Sequence, residues 1–126
     1  MNARFNKREH IVSTRLIETL FGSGSSAVSA FPLRAVFRKV PRSMTGVPVQ
    51  VLVSVPKKRF KHAVDRNRVK RQVREAYRHA KQPLCDAIAA DESLLVAFVW
   101  ISDQQAPSAI VSSRVGKLVG RMAEKI

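Results

Sequence analysis

Acids are scarce in this chain. Nine Asp and Glu stand against 23 Lys and Arg in 126 residues, a formal net charge of +14. A nuclease that carries its own Mg²⁺ needs clustered carboxylates, and no pair here has that spacing. Asp91-Glu92 comes nearest and reads as a solvated turn. Histidine is scarce too: His10, His62 and His79 lie far apart, and neither they nor Cys85 match a zinc site. With one cysteine, no intramolecular disulfide can form, which fits a reducing cytoplasm. A glycine-rich phosphate loop is missing. No apolar run approaches the ~20 residues of a membrane span, and MNARFNKREH has no apolar stretch behind its charges, so it does not read as a signal peptide. A catalyst built from these side chains alone is not expected. Neither a membrane nor a small-molecule substrate is an expected partner.

What the chain has is concentrated positive charge. Lys57 to Lys81, KKRFKHAVDRNRVKRQVREAYRHAK, holds eleven cations and two acids, Asp65 and Glu75. Such density repels itself unless a polyanion shares it. Val69, Val73, Ala76, Tyr77 and Ala80 recur as one helical stripe. At about 100° per residue, Lys70, Lys81, Arg74, Asn67, Arg78 and Arg71 share an arc of roughly 100° beside and behind it. A solvated helix usually mixes Glu with Lys at i, i+4. Here Glu75 is the lone acid between Arg66 and Lys81, which favours a polyanion-binding face. Asp65 is a candidate N-cap, with a start one turn earlier also open.

The rest reads as one α+β domain spanning 1–126. Residues 1–12 read as a loose basic lead-in. Ser13 or Thr14 caps a short helix bearing Leu16, Ile17, Leu20 and Phe21, and Gly22 ends it. Residues 22–29 read as a flexible connection. Phe31–Val40 and Val49–Val55 alternate as strands and suggest an antiparallel pair, with Arg34, Arg38, Gln50 and Ser54 on an open face. That face suits a single nucleic-acid strand, or it is simply wet. LLVAFVWI, Leu94–Ile101, is apolar on both faces and reads as a central strand. Ser108 caps a last helix with Val111, Val115, Leu118, Val119 and Met122 in register; its Gly116 and Gly120 imply close packing.

Lys57-Lys58 followed by Ala63-Val64-Asp65-Arg66-Asn67-Arg68-Val69-Lys70-Arg71-Gln72-Val73-Arg74-Glu75 resembles the KK…RNRxKRxxRE signature of the bacterial ribonuclease P protein subunit. The motif is long and specific, and the element order fits over nearly the whole chain. The resemblance implies an αβββαβα order, a small mixed sheet with packed helices, like the second domain of a small-subunit ribosomal protein. It adds one short strand, expected around Lys57–Val64, and a left-handed crossover through the basic helix.

In that family a large RNA is the catalyst, and the protein assists removal of the 5′ leader of precursor tRNA. The resemblance therefore implies an endoribonuclease that works as a ribonucleoprotein. This chain contributes no catalytic residue, and Mg²⁺ is held by RNA, with no metal ligand from the protein. Its partners are the catalytic RNA and precursor tRNA. Lys57, Lys58, Arg66, Asn67, Arg68, Lys70, Arg71, Arg74 and Arg78 are the expected RNA-binding residues. Ile17, Phe21, Arg34 and Val36 are the expected lining of a leader cleft. Val36 stands where an aromatic is common, so base stacking weakens or moves to Phe37. A glycine often found before the motif is replaced by Arg59-Phe60-Lys61-His62. The alternative is a basic ribosomal or RNA-assembly protein without a processing role.

Overall fold

The computed structural model describes residues 7–126. Ser13 caps helix α1 (Thr14–Phe21), its side chain accepting from the Leu16 amide, and Gly22 closes it. Strands β1 (Ser26–Ala30), β2 (Leu33–Pro41) and β3 (Val49–Ser54) follow, then α2 (Ala63–Ala80), the short α3 (Gln82–Asp86), β4 (Glu92–Trp100) and α4 (Ser108–Lys125). Leaving α3 aside, this is the expected αβββαβα order.

The sheet order is β1-β2-β4-β3. β2 and β3 are therefore not neighbours, contrary to the antiparallel pair expected from their short connection. β4 lies between them, antiparallel to β2 and parallel to β3. The reason is its composition. Leu94 to Phe98 are fully buried on both faces, and such a strand takes the slot with a neighbour on each side and a layer on each face. Adjacent parallel strands need a crossover, which α2 and α3 supply.

The fourth strand lies at Ser26–Ala30 rather than around Lys57–Val64. β1 pairs antiparallel with β2 at an edge of the sheet. All but Ala30 of it falls in the segment read as flexible, because small residues hide its weak alternation. Val28 and Ala30 nonetheless pack on the core. Arg114 and Arg121 of α4 donate to the Phe31 and Ser29 carbonyls beside this edge.

One core fills the space between the sheet and helices α2, α3 and α4, with Phe37, Tyr77, Phe98 and Trp100 within it. Trp100 is core as expected. A smaller cluster on the other sheet face joins Leu16 and Leu20 to Val40, Leu95 and Ala97. α4 begins after Pro107, one residue before the expected cap, and buries its five expected residues. Gly116 and Gly120 are not closely packed: beyond the backbone of its own helix, a Cβ at either would meet no atom within 4 Å.

The lead-in is docked from Lys7 onward, whereas residues 1–6 fall outside the described ones. Lys7–Glu9 form a single 3-10 turn, His10 bridges Val51 in parallel, and the Ile11 amide donates to the Val51 carbonyl at 3.0 Å. Ile11 is buried, and its apolar burial helps hold this strap against the edge of β3.

Candidate RNA interface

Helix α2 runs from Ala63 with His62 at its N-cap, so it starts earlier than Asp65. Asp65 instead accepts from Gln105 Nε2 at 3.0 Å. Val69, Val73, Ala76 and Tyr77 are buried, as the stripe requires. The opposite side is exposed at Asn67, Arg68, Arg71 and Arg74. Asn67, Arg71, Arg74 and Arg78 converge on one depression, completed by Glu75 and by His10 of the strap.

Not every cation of the stretch faces outward freely. Arg66 turns back and donates to the Phe60 and Lys61 carbonyls, at 2.8 and 3.0 Å, fixing the loop that enters the helix. Phe60 is buried and anchors that loop; Lys57 and Lys58 sit exposed before it. Arg78 donates to Glu75, which His79 also contacts at 3.1 Å. These bonds, Arg78 first and His79 second, hold the Glu75 carboxyl below its usual range. Lys81 leaves the cationic arc altogether: only 9% exposed, it is paired with Glu9.

His10 lines the same depression, and the sequence did not single it out. Burial, and then the nearby Arg74 charge, push its pKa below the ordinary value, with Glu9 pulling the other way. Its sequence neighbours carry no periodic signal, so only the docking of the strap places it beside α2. Burial pushes the pKa of the Cys85 thiol up, which disfavours the thiolate.

The second candidate surface lies between α1 and the sheet. Ile17 and Val36 pack at the margin of the smaller cluster, beside Leu52 and Val99. Phe21 is half exposed, with 50% of its surface open, and Arg34 is exposed. Phe37 is 4% exposed and points into the main core, so it cannot take over the role of an aromatic at Val36. Arg38 is occupied in part, donating to the Ser23 and Thr19 carbonyls.

A sequence model of the family described as Ribonuclease P matches residues 5–122. The chain belongs to the ribonuclease P protein family. It is 38% identical over 122 residues to the ribonuclease P protein component of two strains of Porphyromonas gingivalis, covering 96% of this chain and 88% of each relative. The component of Chlorobium phaeobacteroides is 42% identical over 85 residues, 64% of this chain and 58% of that one. The fold is shared with the Staphylococcus aureus RNase P protein (TM-score 0.66, 15% identity, covering 90% of this chain and 94% of that one). It is also shared with the Thermotoga maritima protein (TM-score 0.60, 20% identity, 85% and 91%).

A ribonuclease P protein component implies an RNA partner in a ribonucleoprotein endoribonuclease whose role is tRNA 5′ maturation. That role replaces the ribosomal alternative. The donor set on α2 suits an RNA contact. Guanidinium forks bond phosphate oxygens in pairs, and a lone Asn among them can meet a base edge or a 2′-hydroxyl. Among the described residues, no helix is long and apolar enough to cross a membrane, and no group of three His, Cys, Asp or Glu could hold a metal.

Proposed function

We propose that the chain assists 5′ maturation of precursor tRNA by holding two RNAs at once. The α2 face binds the catalytic RNA, and the surface under α1 takes the 5′ leader. One observation carries the first half: α2 buries one stripe and turns Asn67, Arg71, Arg74 and Arg78 into a single depression. Arg68 and Lys70 extend that face, Lys57 and Lys58 lie exposed before its entry loop, and Arg66 braces that loop. Phosphate repulsion is greatest where folded RNA and substrate meet, and fixed cations lower it.

Protonated Arg and Lys have no lone pair for a divalent cation, and the acid of this face, Glu75, already accepts from Arg78. Asn67 Oδ1 and the His10 ring are the remaining donors of the depression, too few for the oxygen-rich shell that Mg²⁺ takes, so the residues present do not fit a protein-held metal. Mg²⁺ belongs with the RNA oxygens, and this chain lowers the concentration needed. The assembly works in the cytoplasm, where precursor tRNA is made.

Under α1, Ile17 and Val36 give an apolar floor, Phe21 an open ring and Arg34 a cation. An unpaired strand meets this chemistry through base stacking and phosphate contact. The test is Phe21→Ala in the reconstituted holoenzyme, with precursors of long and single-nucleotide leader. Affinity for the long-leader precursor falls about tenfold, as expected when one stack is removed, and that for the short one is unchanged. Equal affinities for both precursors, mutant and wild type alike, would remove the leader from this surface.

A further inference from the structure

The strap does more than cover the edge of β3. It borders a second depression, lined by Ile11, Val12, Leu52 and Val53, that shares His10 and Arg74 with the depression on α2. The two differ in chemistry. On the α2 side the shared pair is joined by Asn67, Arg71 and Arg78; on the strap side it is joined by aliphatic walls, with Lys7 at the rim. Val12 is 87% exposed, a valine left bare beside a cationic surface.

A nucleotide is divided the same way, into an anionic phosphate and a flat base that gains by leaving water. We propose that this groove receives the base of one unpaired nucleotide of the catalytic RNA while Arg74 holds its phosphate. The inference rests on the reading of α2 as the face for that RNA. Charge complementarity and the two shared residues argue for it. A paired stretch is the wrong shape, because an A-form helix keeps its bases stacked inside. A peptide strand added to β3 is opposed by the strap, which already bonds the edge at Val51.

Val12→Ser tests the groove without risk to the fold, since the side chain is exposed. The measurement is affinity of the full-length protein for its catalytic RNA, without substrate, across a salt series. Val12→Ser weakens binding about three- to tenfold, the scale of one or two methyl groups returned to water. The log–log salt slope stays the same, because every phosphate keeps its cation. Val12→Phe tightens binding by about the same factor at the same slope, by stacking. Unchanged affinity in both variants overturns the proposal. So does a weakening seen only once a leader-bearing precursor is added, which would give the groove to the substrate. If the wild type itself shows no salt-dependent affinity for the RNA, the α2 reading fails and takes the groove with it.

Discussion

Lys81 Nζ stands 2.6 Å from Glu9 Oε1, and the two side chains are 11% and 14% exposed. This ion pair joins residues 72 positions apart and ties the end of α2 to the strap that carries His10. Removing one partner leaves the other charge poorly solvated. Lys81→Met therefore destabilises the fold by about 1–3 kcal/mol, read from urea denaturation. The exchanged pair, Glu9→Lys with Lys81→Glu, recovers part of that stability. A silent Lys81→Met would mean the strap is held by Ile11 and Val51 alone.

Much of this architecture is legible in the residues. The stripe of Val69, Val73, Ala76 and Tyr77, the Ser13 cap and the two-sided apolar run at Leu94–Ile101 are local signals; the first two are realised, and the run is the strand Glu92–Trp100, which leaves Ile101 outside. Strand order is not a local signal. The short loop between β2 and β3 suggests that they pair, but β4's need for burial on both faces takes precedence. β1 is hidden because SAVSA carries little hydrophobic contrast. Periodicity places Lys81 among the outward cations. Only the docked strap, 72 residues upstream, explains its burial. His10 is hidden in the sequence for the same reason.

His10 gives a pH signature with a definite sign. It faces Arg74, Asn67, Arg71, Glu75 and Arg78 from α2, with Lys7 and Glu9 beside it on the strap. Burial and Arg74 depress its folded pKa below the ordinary 6.5, so the unfolded chain binds its proton more readily. The contribution to stability is constant above that pH; below it, stability falls as the unfolded state takes up the proton first. His10→Gln shows a shallower acid-side decline in melting temperature than the wild type. In Arg74→Ala, an NMR titration places the His10 midpoint higher than in the parent. An unmoved midpoint would mean that Arg74 does not face the ring.

Gly116 and Gly120 sit inside α4 with open space where a Cβ would go. Ala in place of either stabilises by roughly 0.4–1 kcal/mol, from helix propensity and reduced unfolded-state entropy. Calorimetry of the two single variants and the double variant checks this, with near-additive gains expected. Destabilisation by either would show that the bare helix face is occupied in the folded protein.

Charge and fold separate on α2. Arg74→Ala weakens RNA binding and shallows the log–log salt slope by about 0.7–0.9 for each phosphate it no longer neutralises. Val73, fully buried on the opposite side, behaves differently: Val73→Ala costs about 0.5–3 kcal/mol of stability and leaves that slope alone. The reverse pattern would mean that the helix is turned the other way.

The most direct measurement is leader cleavage from precursor tRNA by the matching catalytic RNA at low Mg²⁺, with and without this protein. Cleavage is expected to be slow with RNA alone, restored by the wild-type chain, and poorly restored by a variant lacking Arg71, Arg74 and Arg78. No stimulation by the wild type, or cleavage by the protein without RNA, would contradict the account.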